Sequence, residues 1–110
     1  MSRAAHLLNT RVQVWRHVTV DDEGGGQDTT WVVQSTQRAR LSQPSARERQ
    51  TADQAEADLT HIVYLLPGAD VRRGDELRRT AGPALEVTAV FEPSEPGTYL
   101  RADCAARQHQ

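Results

Sequence analysis

Lysine is absent from this chain, cysteine and methionine occur once each, and the aromatic side chains stop at Trp15, Trp31, Tyr64, Phe91 and Tyr99. A lone Cys104 cannot form an internal disulfide, so no covalent staple is expected and a reducing cytoplasm suits the chain. No apolar run approaches the roughly 20 residues of a membrane-spanning helix. Within Met1–Thr10 the longest aliphatic stretch is Leu7–Leu8, too short for the apolar region of a signal peptide. All 13 basic residues are arginine and 15 acids outweigh them, for a net charge of −2. The overall basic footprint of a tight, sequence-independent duplex binder is therefore missing. Arginine's planar fork suits protein interfaces, although a genome-wide compositional bias gives the same preference.

The signatures of catalysis are missing as well. Gly24-Gly25-Gly26 precedes a strand rather than a helix, so it is not a phosphate cradle. His6, His17, His61, His109 and Cys104 match no spacing of paired zinc ligands. His61 sits within an apolar strand, where a hydrogen-bonded structural histidine is the simpler reading. Cys104 falls on the expected closing strand, where a buried small hydrophobe is the default. No carboxylate pair stands out from the surface acids. The expectation is a non-enzymatic protein with no catalytic residue, no metal and no cofactor.

What the chain does have is a long polar stretch, Ser42–Asp58, whose only apolar side chains are alanines. β-patterned sequence flanks it. Val12, Val14, Val18 and Val20 share one parity, interrupted by Arg16, as a half-buried strand over Arg11–Val20 requires. Trp15 falls on the opposite face and needs cover from another layer or a neighbouring subunit. Asp21 to Gly26 supplies a turn, and Thr29–Val33 resumes as the second strand of a hairpin. Gln37–Leu41 continues it or forms another strand, with Ala39 and Leu41 facing in. Leu59–Leu66 is the most apolar run and reads as a central strand ended by Pro67-Gly68. A turn at Arg73-Gly74-Asp75 precedes a short strand at Glu76–Arg79. Ala84–Phe91 and Thr98–Ala105 read as the last two strands, joined by a loop over Glu92–Gly97.

Short strands with glycine and proline punctuation, and no long helix, predict an all-β fold. The specific expectation is one small β-barrel domain over residues 1–110. Residues 1–9 form an N-terminal arm, 42–58 an inserted loop and 106–110 a tail. Closure would remove exposed edges. The insert also reads as a short helix over Ser45–Ala57, with Arg49 and Asp53 paired at i,i+4. With only alanines to bury, it is expected to order when copies of the chain meet. A barrel that binds oligonucleotides is the reading from another class. It would place aromatic platforms in a basic groove, the best basic positions being Arg72-Arg73 and Arg78-Arg79.

In order and spacing the motifs resemble those of head–tail joining proteins of long-tailed phages, the head-closure or stopper component of the connector. The resemblance runs from about Leu8 to Arg107. It is carried by Arg11-Val12-Gln13-Val14, the acidic glycine turn, Thr30-Trp31, Arg38-Ala39-Arg40-Leu41 and Arg47-Glu48. Thr60-His61-Ile62-Val63, Pro67-Gly68, Val71, Gly82, Leu85-Glu86-Val87, Val90 and Tyr99-Leu100 to Cys104 complete it. Leu65-Leu66 and Gly82-Pro83 depart from the family's usual basic positions, which leaves an adjacent neck or tail-completion protein as an alternative. The resemblance implies a ring of identical subunits in the virion neck, assembled in the bacterial cytoplasm. That ring would lie beneath the portal-bound adaptor, dock the tail-completion or tail terminator protein and pass DNA without sequence-specific binding, with no membrane involved. It also implies that the insert gates the channel through Gln43, Arg47, Glu48, Arg49, Asp53, Glu56 and Asp58, whose net negative charge would repel a passing polyanion. Ring closure demands two complementary faces, expected around an exposed Trp15 or Trp31 and around Arg72, Arg73, Arg78 and Arg79.

Overall fold

The structure, a computed structural model, describes residues 8–56, 58–92 and 98–107. Strands β1 (Thr10–Asp21) and β2 (Gln27–Ser42) form a long hairpin, and helix α1 (Ala46–Gln54) follows. Strands β3 (His61–Leu65), β4 (Glu76–Arg78), β5 (Leu85–Phe91) and β6 (Leu100–Ala106) complete the chain. Antiparallel pairing in the order β1-β2-β3-β6-β5-β4, with β4 returning to β1, closes a six-stranded barrel. The all-β barrel with a polar insert is thus the fold, and the insert carries the short helix. No helix among the described residues is long and apolar enough to cross a membrane.

Alternation along each strand fills the interior. Val12, Val14, Ala39, Val63, Leu65, Leu77, Leu85, Val87, Leu100, Ala102 and Cys104 are buried in one core cluster, against which Leu41 packs. Cys104 is fully buried, and burial pushes its thiol up to about 12. His61 is half-buried, with Nδ1 2.9 Å from Thr60 Oγ1. Desolvation, then the charges of Arg79 and Arg49, lower its pKa. Leu8 is also buried, and its carbonyl accepts a bond from Arg38 Nη2 at 3.3 Å. Leu8, placed within the arm expected over residues 1–9, thus buries against the body. Residues 1–7, the expected loop's positions 93–97 and the tail's residues 108–110 lie outside the described residues.

The first hairpin departs from the expected pattern. β2 is a single strand of 16 residues, so of the two readings of Gln37–Leu41 the continuation holds. Val14 faces Ser35 while Trp15 faces Val33, so Gln34 is an extra residue on β2 at a β-bulge. β4 pairs with β1 only over Gln13–Trp15. Past that point β1 pairs with β2 alone, and residues 19–30 are all exposed. The hairpin thus leaves the barrel as an arm. A radius of gyration of 15.3 Å exceeds the roughly 13 Å of a compact chain of this length, as a projecting arm requires. Only Val12 and Val14 of the four predicted in-facing valines reach the core. Val18 is half-buried and Val20 is 46% exposed. Their parity is as expected, but no layer of the described residues lies over them.

Arg16, the residue that breaks the valine pattern, fixes the root of the arm. Its Nε and Nη2 donate to the two carboxylate oxygens of Asp75 at 3.0 and 2.9 Å, and Nη1 to Asp70 at 3.3 Å. Asp75 is 2% exposed and also accepts from the Arg72 backbone N–H at 2.9 Å. Val87 N donates to the Asp75 carbonyl and Gly74 N to the Val87 carbonyl, which tie this turn to β5. Gly74 takes φ +93°, a conformation that favours glycine.

Candidate functional site

The polar insert forms a helix because its entry is built to start one. Ser45 is the N-cap: its Oγ accepts from Glu48 N at 3.2 Å, while its own N–H donates to Glu48 Oε1 at 3.0 Å. This reciprocal capping box satisfies two backbone donors that the first turn would leave bare. Pro44 just before it is buried and anchors the approach. The helix ends where Glu56 turns into the left-handed region at φ 56°, a stop made without the usual glycine.

Nothing on α1 is buried. It stands off the barrel across an open cleft of about 470 Å³ lined by Arg47, Glu48, Thr51, Ala52, Arg101 and Asp103. Among the described residues one ion pair ties the helix to the barrel, Arg101 Nη2 to Glu48 Oε2 at 3.1 Å. Arg101 is in turn aligned by Asp103, 2.9 Å from its Nε. Glu48 is held below the usual carboxylate range, first by the Ser45 backbone bond, then by the Ser45 hydroxyl and Arg101. Of the predicted gating residues, Gln43, Arg47, Arg49, Asp53, Glu56 and Asp58 lie along this one segment without docking on the barrel, and Glu48 alone is docked. No ion pair joins Arg49 to Asp53 among the described residues, so the expected i,i+4 contact is not made; the pair the helix makes is that of Glu48 across the cleft.

The predicted interface residues divide into three places. Trp15, Trp31 and Arg78 do meet on the outer wall. The Arg78 guanidinium lies 4.1 Å from the Trp15 ring centre and 5.9 Å from that of Trp31. Arg107 covers Trp31 at 5.4 Å, and the His17 ring stacks on Trp31 at 4.7 Å. Beneath them Glu76, 5% exposed, pairs with Arg78 at 2.7 Å and with Arg107 at 3.1 Å. The Arg107 Nε is off the line of a hydrogen bond, so that contact is ionic. Both tryptophans are half-buried, not exposed as expected, because arginines rather than a second layer cover them. Cation–π contacts of this kind are worth about 0.5–2 kcal/mol each. They also occupy the faces on which a nucleic-acid base would stack.

Arg72 and Arg73 lie elsewhere, exposed in the turn that Asp75 holds, with Arg72 paired to Asp70 at 3.3 Å. Arg79 packs over Gly82, where an added Cβ would come within 2.7 Å of its Nη2, and its buried Nε has no hydrogen-bond partner. Sequence reasoning missed Glu76, Arg107 and His17. Alternation could have found Glu76, since it shares its outward parity with Arg78 two residues on.

The barrel is similar to one solved structure in particular, the solution structure of protein SF1141 from Shigella flexneri 2a. The TM-score is 0.77 over 94% of this chain and 96% of that one, at 19% identity, which establishes a shared fold. No curated protein matches the sequence. The family described as phage head completion protein matches residues 4–107, nearly the whole length. By that match the chain belongs to the family of phage head completion proteins.

Proposed function

We propose that this protein closes the filled phage head as a ring of identical, non-enzymatic subunits in the virion neck. The ring takes its place beneath the portal-bound adaptor, docks the tail and holds the packaged DNA behind α1. Family membership supports the structural role in head completion. The observation that supports the gate is the character of α1: capped at its start, bare of buried side chains and tied to the barrel through Glu48. A segment of that kind adds little to a core and can move without unfolding one. α1 itself is balanced, but Glu56 and Asp58 just beyond it give the insert four acids against two arginines, which would keep it from adhering to DNA in transit.

Deleting Ser45–Ala57 tests this reading. Because α1 contributes nothing to the core, the shortened chain is expected to fold and to join heads. The particles made with it are expected to lose their DNA. Stable, DNA-filled heads carrying the shortened protein would sink the gate assignment. A folded chain that never joins heads would instead move the role of this segment to assembly.

A further inference from the structure

The hairpin arm and the barrel wall carry opposite charge. Between Arg16 and Arg38 no arginine occurs, and the arm's tip gathers Asp21, Asp22, Glu23 and Asp28. Asp22 is used within the turn, its carboxylate accepting from Gly24 and Gly26 backbone N–H groups at 2.9 and 2.8 Å. Asp21, Glu23 and Asp28 have no cation within ion-pair reach among the described residues. Beside the tip Val20 is 46% exposed, and at the root of the arm Val32 and Val33, paired with Arg16 and Trp15, are 40 and 45% exposed. This is apolar surface that a monomer leaves in water.

On the barrel wall, Arg11, Arg78 and Arg79 line a groove of about 310 Å³ floored by Val12 and edged by Gln13 and Thr36. No acid lines it among the described residues. Arg78 is partly neutralised by Glu76, whereas Arg11 is exposed without an ion-pair partner among the described residues and the Arg79 Nε is unsatisfied. The groove is anchored at Gln13, eight residues from Asp21 on the same strand, or about 27 Å at ~3.4 Å per residue. A paired, bulge-rooted hairpin cannot fold back over that distance, so a chain's own tip cannot fill its own groove.

We propose that the acidic tip of one copy docks head-to-tail into the arginine groove of the next, burying Val20 at the contact. This rests on the ring reading above and specifies its interface. Tip and groove are different surfaces of one chain, which is what a heterologous, ring-closing contact needs. Charge complementarity would set its register and partner choice.

Charge reversal tests it. The tip variant is Asp21→Arg/Glu23→Arg/Asp28→Arg, and the groove variant is Arg11→Glu/Arg79→Glu. Should Arg79→Glu disturb folding, Arg11→Glu/Thr36→Glu spares the buried Arg79 Nε. Sedimentation velocity at low salt follows the full chain alone and with the portal–adaptor complex. Each variant alone is expected to associate about tenfold or more weakly than the wild type. A mixture of the two, or one chain carrying both sets, is expected to regain association, since every tip again meets a groove of opposite sign. A ring that still forms on the connector with either variant alone would overturn this interface and leave the ring reading intact. A wild type that never oligomerises, even on the connector, would overturn both. Loss of duplex DNA binding in the groove variant, with assembly unchanged, would reassign the groove to nucleic acid.

Discussion

Replacing Arg16 by methionine is expected to destabilise the fold by about 3 kcal/mol and to loosen the root of the arm. The substitution keeps a stem of similar length and removes the guanidinium. Asp75 is then left with a carboxylate 2% exposed and only the Arg72 backbone N–H as donor. Breaking a buried pair from one side costs about 3–5 kcal/mol. The Arg16 side chain is itself 16% exposed, so water reaches the vacated place and about 3 kcal/mol is the appropriate end of that range. For 110 residues the entropy of unfolding is about 0.23 kcal/mol/K, so the midpoint falls by roughly 13 °C. Thermal and urea unfolding of Arg16→Met, Asp75→Asn and the double variant give the coupling. The double variant is expected to be more stable than Arg16→Met alone, because the neutral amide that Asp75→Asn introduces would still accept from Arg72 without a stranded charge. High salt is expected to change the wild-type value little, since the pair is shielded from ions. Two results would refute the reasoning: Arg16→Met within about 1 kcal/mol of wild type, or strictly additive losses in the double variant.

Elsewhere in the molecule, Glu48→Gln keeps a side chain able to close the capping box but removes the charge facing Arg101. Amide exchange over residues 46–54 is expected to quicken while the barrel's thermal midpoint stays put; unchanged exchange would show that the ion pair does not restrain α1. Cys104, with its thiol raised to about 12, is expected to resist thiol reagents at pH 8 until urea unfolds the chain. Because the unfolded thiol ionises first, stability should decline as pH rises above about 8.5 towards the folded value, and Cys104→Ala should flatten that limb. His61 has a lowered folded pKa, so the unfolded chain binds its proton first. Stability should fall as pH drops below about 6.5, and His61→Asn should remove that slope above the carboxylate range. A wild-type midpoint flat from about pH 7.5 to about pH 5.5 would contradict it.

The barrel was legible because most of its strands obey one rule throughout. In β3 and β6 the inward parity is occupied by Val63, Leu65, Leu100, Ala102 and Cys104; β5 keeps it through Leu85 and Val87, after which a register shift turns Val90 to the core and leaves Phe91 52% exposed. Where the rule misled, it reported a face but not what covers that face. Val18 and Val20 alternate as faithfully as Val12 and Val14, yet the neighbouring strand β4 ends its pairing at Trp15. Whether a partner strand reaches a position depends on chain far away in sequence. The same limit hid the cover of the tryptophans, since Arg107 lies 76 positions after Trp31 and the sheet alone brings them together. The capping box, by contrast, was local. Ser45-Ala46-Arg47-Glu48 contains all of it, a start signal that needs no apolar residue.

The two projections from the barrel are attached in opposite ways, and that difference bears on what each can do. The arm is rooted by a bidentate, buried pair whose acceptor is bonded in turn to the β4 approach and, through its backbone, to β5. Its direction is therefore set by the barrel. The helix is internally ordered by its cap yet joined to the wall by a partly exposed pair across an open cleft, the kind of contact that water and salt screen. A rigid projection suits a contact that must repeat at one angle around a closed ring. A pre-formed but weakly held one suits a part that must shift as DNA passes. On the ring-and-gate proposal above, reversed attachments would let the geometry of the ring drift with salt and would fix the gate. Raised ionic strength is thus expected to loosen α1 before it loosens the root of the arm. Amide exchange at residues 46–54 and at 14–17, compared across a salt series, would separate the two; equal responses would deny the division of labour.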